Sequence, residues 1–200
     1  MLYAIEQQYK QFILQTHPDK MKSKLIPRQF IGPGSITLQR KHVQPIDPAS
    51  NETNIRQNYC VTEKADGIRA QLIVCKEDAK AYIVTAKKNV IDTGISFEGI
   101  TESWIFDGEY ITKDKHRKGI KLFMIFDVYR GSHEGINDLT RLPWISSKRD
   151  TTSRSVAMHE FFKNHEKTHE GEDIVRIECK TYIEGASKLQ KKKGSTEYSN

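Results

Sequence analysis

Between residues 59 and 130 apolar and polar side chains alternate with a period of two. Ile68, Ala70, Leu72 and Val74 take one face of a strand, while Arg69 and Gln71 take the other. The same pattern predicts strands over 81–85, 104–111 and 121–129, and the charged stretch 112–119 predicts an antiparallel hairpin between the last two. At both ends of the chain the spacing becomes helical. Leu2, Ile5, Tyr9, Phe12 and Ile13 predict an amphipathic helix over 1–16 that stops at His17-Pro18, where proline disfavours continuation. After Asp150, a Thr/Ser-rich start precedes Val156, Met158, Phe161 and Phe162, which predicts a second helix with a hydroxyl N-cap and with Met158, Phe161 and Phe162 in the core. The turn-rich stretch 31–35 leads into residues 36–40, and 45–54 reads as an exposed connection. Helices flanking a run of antiparallel strands make an α+β chain, and no internal repeat interrupts it.

Composition narrows the classes. Hydrophobic residues make up 36% and charged residues 29%, the balance of a globular chain that stays in water. No apolar run approaches the roughly 20 residues needed to span a bilayer, and the first residues lack a charged-then-apolar leader, so the expectation is an intracellular, soluble protein without a membrane partner. Cys60, Cys75 and Cys179 are odd in number and far apart, which predicts reduced thiols rather than a disulfide framework or a zinc site. Lys and Arg outnumber Asp and Glu by 32 to 26, giving a formal net charge of +6 that suits a partner with many negative charges.

Three segments carry candidate chemistry. In Glu63-Lys64-Ala65-Asp66-Gly67-Ile68-Arg69 a lysine stands at the mouth of an Asp-Gly turn between two strands, with glycine expected to supply unusual backbone angles. An amine attacks phosphorus only when unprotonated, a form favoured by partial desolvation or a neighbouring cation. In Phe106-Asp107-Gly108-Glu109-Tyr110 two carboxylates share parity; together they can hold Mg²⁺, or one can hold a ribose while the other orients a metal. In Phe123-Met124-Ile125-Phe126-Asp127-Val128-Tyr129 a lone acid ends an apolar strand. Each segment alone reads most simply as ordinary sheet. Their order along one chain favours a shared site.

These residues resemble the covalent nucleotidyltransferases, which comprise ATP-dependent polynucleotide ligases, RNA ligases and mRNA capping enzymes. The family's Lys-x-Asp-Gly-x-Arg motif is matched by Lys64, Asp66, Gly67 and Arg69, its Asp-Gly-Glu motif by Asp107-Gly108-Glu109, and its aromatic-Asp motif by Phe126-Asp127. The resemblance implies an antiparallel-sheet, ATP-grasp-like nucleotidyltransferase core. It also implies that Lys64 forms a lysyl-N-GMP or lysyl-N-AMP, that Arg69 and Glu109 contact ribose, and that Phe126 stacks on the base. The lead-in from Ile31 to His42, with alanine after the lysine, is most similar to capping guanylyltransferases of large DNA viruses. The implied substrates are GTP and 5′-diphosphate RNA, with Mg²⁺ or Mn²⁺. Triphosphatase and methyltransferase domains would be partners within a larger capping enzyme, located in the virion or host cytoplasm if the source is viral. An ATP-dependent ligase and a noncatalytic nucleotide- or RNA-binding remnant are the alternatives.

The likeness departs in two places. Where the family carries a ribose-holding arginine, the chain reads Thr85-Ala86-Lys87-Lys88-Asn89, so Lys87 or Lys88 is the candidate substitute. The family's further apolar strand, its triphosphate-gripping lysines and its small OB-fold barrel are not found before Asn200. The expected organisation is therefore a helix and linker over 1–29, an incomplete nucleotidyltransferase domain over 30–185 and a basic polar tail over 186–200. His17-Pro18-Asp19 reads as a helix stop, and His159, His165 and His169 do not share a helical face, which argues against a metal site there. Lys191-Lys192-Lys193 could meet RNA phosphates or remain a solvated tail.

Overall fold

The computed structural model describes residues 37–45, 49, 54–55, 60–145 and 152–184. The expected helix over 1–16, the turn at 31–35, most of the 45–54 connection and the tail from Lys188 lie outside the described residues. The chain divides into two compact units, of which the first takes in Ala65–Cys179 and the second Pro33–Lys64 with Lys180–Asn200.

In the second unit a short 3₁₀ turn, Arg40–Val43, buries His42, whose Nδ1 accepts from the Gln39 backbone N–H at 3.0 Å. Strand β1 (Cys60–Val61) pairs antiparallel with the last described strand, Ile183–Glu184, and Thr62 Oγ1 donates to the Thr181 carbonyl at 2.8 Å. Two residues per strand make only a clasp between distant parts of the chain.

The first unit is mostly antiparallel sheet with one helix, an α+β architecture. Its strands are β2 (Ile68–Val74), β3 (Lys80–Thr85), β4 (Val90–Phe97), β5 (Trp104–Lys113), β6 (Gly119–His133), β7 (Ile136–Asp138), β8 (Lys167–His169) and β9 (Arg176–Cys179). They are ordered β7-β6-β5-β2-β3-β4-β8, and β9 adds to β6 in parallel. The helix α1 runs Arg154–Asn164; its N-cap is Ser153, whose hydroxyl accepts from the Val156 N–H, as the hydroxyl-rich start predicts. The last described strand, which pairs with β1, is β10 (Ile183–Glu184).

Why the sheet folds this way is visible in its parity. Ala70, Leu72 and Val74 of β2 are fully buried and join Ala81, Ile83, Phe97, Trp104 and Phe106 beneath α1, which delivers Ala157, Met158 and Phe161. The Phe161 ring lies 4.7 Å from that of Trp104 and 5.0 Å from that of Phe106, centroid to centroid, in tilted geometries that favour aromatic pairs. Two apolar positions of these elements stay at the surface. Ile68 is 56% exposed because β2 begins there, and Val156 is 42% exposed because it stands on the outer side of α1. The opposite sheet face has its own smaller cluster of Ile73, Cys75, Tyr82, Val84 and Ile105. Burial pushes the Cys75 thiol up to about 12, which keeps it an inert hydrophobe.

Two glycines are required by space. A Cβ on Gly67 would sit 2.8 Å from the Tyr110 carbonyl oxygen, and one on Gly108 would sit 2.5 Å from the Phe123 ring and 2.6 Å from the Met124 carbonyl oxygen. Gly67 is not among the residues of positive φ, so it is needed for close approach to β5 and not for a left-handed turn, contrary to the expectation from Asp-Gly. Gly108→Ala is expected to lower stability by about 1–3 kcal/mol through forced backbone shifts, measurable as a lowered urea midpoint at unchanged slope.

Candidate functional site

Strands β2, β5 and β6 are adjacent, and their register brings the separate motifs together. Arg69 lies opposite Glu109, Gln71 opposite Asp107, and Asp107 opposite Asp127. Residues 20 to 40 positions apart in sequence thus become neighbours in the sheet.

The centre of the cluster is Asp107, which has no exposed surface. Arg69 Nη2 donates to its Oδ2 at 2.6 Å and Nε to its Oδ1 at 3.3 Å; the Tyr129 hydroxyl donates to Oδ2 at 2.7 Å and the Gly108 N–H to Oδ1 at 3.0 Å. A buried carboxylate held by four donors, one of them a forked guanidinium, is compensated in charge and fixed in direction. The bond to Asp107 raises the Arg69 guanidinium further, and burial together with the nearby carboxylates raises the Tyr129 phenol, which stays a proton donor across the neutral range.

The expected metal pair separates at this point. Asp107 and Glu109 share the face that parity assigns them, but both Asp107 oxygens are engaged by protein donors. Glu109 differs: its Oε2 is buried and has no hydrogen-bond partner. An acceptor left in that condition costs free energy, and such groups in native folds call for an explanation such as a ligand, water or ion. Among the described residues no group of three or more His, Cys, Asp or Glu side chains could enclose a metal. Mg²⁺, however, commonly takes only one or two carboxylates and completes its shell with water and substrate phosphates, so Glu109 fits as a single ligand and Asp107 does not.

A register shift in β6 aims the third motif. Asp107 pairs with Asp127 and Gly108 with Ile125, which leaves Phe126 as the extra residue of a bulge. The Phe126 ring comes within 6.0 Å of the Arg69 guanidinium carbon, and Asp127 turns to Arg154 at the start of α1. Arg154 Nε donates to Asp127 Oδ1 at 2.8 Å and Nη2 to Oδ2 at 3.1 Å, and the Val128 N–H adds a bond of 2.8 Å to Oδ1. Burial raises the Asp127 carboxyl from its ordinary value, and the bonds from Arg154 oppose that rise.

The remaining candidates stand apart from this cluster of bonds. Lys64 is exposed and closes the second unit, four residues before β2 in sequence. Because β1 pairs with β10 and not with β2, the Lys64–Gly67 stretch links two sheets and is not the loop of a hairpin. Lys87 and Lys88 are exposed in the turn between β3 and β4. Sequence reasoning missed Tyr129 and Arg154. A signal existed for each: Tyr129 has the parity of Asp127, and Arg154 is a cation in a first helical turn that holds no acid, where the helix dipole disfavours it unless a specific anion is near. No family model matches the chain, and no curated protein matches it.

Proposed function

We propose that this chain carries the nucleotide-binding core of a lysine-dependent nucleotidyltransferase, of the guanylyltransferase kind that caps RNA. One observation carries most of the reading: Arg69, Asp107 with Glu109, and Phe126 with Asp127, one part of each motif segment, meet across β2, β5 and β6, and the one buried carboxylate oxygen left unpartnered among the described residues belongs to Glu109. A structural ion-pair network would account for Arg69, Asp107 and Tyr129. It gives no reason to bury an unpaired Glu109 oxygen beside them.

In this reading the Lys64 amine attacks the α-phosphorus of GTP. A P–N bond forms, the bond to the β-phosphate oxygen breaks, pyrophosphate leaves with the electron pair and the amine loses its proton. A terminal oxygen of 5′-diphosphate RNA then attacks the same phosphorus, and the P–N bond breaks as GMP passes to the RNA. Asp107 and Tyr129 keep the Arg69 fork in one orientation, ready for a ribose hydroxyl, and Phe126 offers a ring face to the base. Glu109 would hold Mg²⁺ or Mn²⁺, which when bound offsets negative charge on the phosphate oxygens. Use of ATP in the same chemistry would make the protein a ligase, and nucleotide binding without transfer would make it a binding remnant.

Glu109→Gln separates function from structure because its two effects have opposite signs. Removing a charge that has one oxygen buried without a hydrogen-bond partner should leave stability equal or higher, while nucleotide transfer falls by about 10² if the charge acts on the transition state. Unfolding curves and single-turnover adduct formation measure the two. Unchanged transfer in a folded variant would remove Glu109 from the proposed site.

A further inference from the structure

The two ends of the main sheet differ in charge. Antiparallel pairing of β2 with β3 and β5 brings the β3–β4 turn and the β5–β6 turn to the end where β2 begins. Those turns and their borders carry Lys87, Lys88, Lys113, Lys115, Arg117 and Lys118, all exposed. The turns and connections at the other end carry Glu77, Asp78, Glu98, Glu102 and Glu134.

The basic turns are built rather than loose. Across the first, the Thr85 N–H donates to the Asn89 carbonyl at 3.0 Å and the Asn89 N–H donates to Thr85 Oγ1 at 3.2 Å, and in the second the Asp114 carboxylate accepts from the His116 and Lys118 N–H groups at 2.8 Å each. In each turn a cation occupies a left-handed backbone position, Lys88 at φ 70° and Arg117 at φ 62°. Glycine or asparagine fits such positions with less strain. The two other non-glycine residues of positive φ among those described are Ala79 and Glu134, both at the opposite end.

We infer that this basic end is a docking surface for the phosphate backbone of single-stranded nucleic acid, an inference that goes beyond the reading of the nucleotide site and does not need it. The two turns are three interstrand spacings apart across the sheet, about 14 Å at roughly 4.8 Å each, and since Thr85, Ala70 and Gly108 are level while the hairpin runs on to Lys113, the second turn also stands about 17 Å further along the strands. Cations so placed meet separate phosphates of one flexible strand, over a span of about six nucleotide steps of roughly 3.4 Å. This end consists of turns among the described residues, and because the projecting β5–β6 hairpin is a two-stranded ribbon of the kind a major groove admits, tighter binding of a duplex than of a single strand would count against this occupant.

The test measures fluorescence anisotropy of a labelled 12-nucleotide uridine RNA titrated with the 200-residue chain over a range of KCl concentrations. The double variant Lys88→Gly, Arg117→Gly is expected to bind about tenfold more weakly, with the slope of log affinity against log salt shallower by about 1.4, because each lost phosphate contact contributes about 0.7 for a single strand. Its thermal midpoint should not fall, since glycine relieves both left-handed positions. Glu77→Gln with Glu98→Gln, at the other end, should bind no more weakly than the parent chain. The inference is overturned if the double variant keeps the parent slope, if Lys191→Gln, Lys192→Gln and Lys193→Gln together account for the whole loss, if a duplex or vesicles of phosphatidylserine bind more tightly than the RNA, or if the parent chain does not bind.

Discussion

Arginine in place of Lys64 is expected to abolish the covalent nucleotide adduct that the proposed function requires. The guanidinium stays protonated at any pH at which the protein is folded, so it keeps the charge but has no lone pair to offer to phosphorus, and labelling should drop by at least about 10³. Lys64 is exposed, and surface substitutions of this kind change stability by about 0.5 kcal/mol or less, so loss of label would not reflect unfolding. The measurement is label retained after denaturing electrophoresis, with a melting curve of the same preparation. An arginine variant that still forms the adduct would remove Lys64 from the mechanism.

Asp107→Asn is expected to be the most destabilising single change in the cluster. The substitution preserves shape but takes away the charge that Arg69 and Tyr129 both address, and it turns one acceptor oxygen into a donor facing two donors. Removing one partner of a buried pair costs about 3–5 kcal/mol when the other is left in the interior. The Arg69 side chain retains 36% exposure, so water recovers part of that loss and about 2–3 kcal/mol is the expectation. For a chain of this size that lowers the thermal midpoint by about 5–10 °C. Tyr129→Phe, which removes only one donor, should cost about 1 kcal/mol. A loss below about 1 kcal/mol for Asp107→Asn would mean that the four donors do not hold the carboxylate as described.

Much of the sheet was legible because its strands obey the period of two. The expected strand over 81–85 is β3, that over 104–111 is β5 and that over 121–129 is β6, each extended by one to several residues at its ends. The β4 strand, Val90–Phe97, was not foreseen: Asp92, Thr93 and Gly94 interrupt its apolar pattern, and Gly94 has a φ of 69° that few strand residues share. The Ser153 cap and the burial of Met158 and Phe161 followed from the hydroxyl-then-apolar order at the start of α1.

Within the site, parity put Asp107 and Glu109 on one face but could not distinguish them. What separates them is the cross-strand and diagonal placement of Arg69 and Tyr129, a property of register between strands and not of either strand alone. The bulge at Phe126 is similarly invisible in one strand, since it exists only as a mismatch in count between β5 and β6. Arg154 comes from a helix 27 residues beyond Asp127, and its role depends on where that helix docks.

The most direct measurement is to incubate the 200-residue chain, and the full product of the reading frame that contains it, with GTP or ATP labelled at the α-phosphate in the presence of Mg²⁺ or Mn²⁺. After denaturation the label is tested for stability in alkali and lability in acid, the behaviour of a phosphoramidate, and the labelled peptide is mapped. The account predicts GMP on Lys64. AMP in place of GMP would move the assignment to a ligase. Absence of an adduct with either nucleotide, in a full product that is folded, would contradict it.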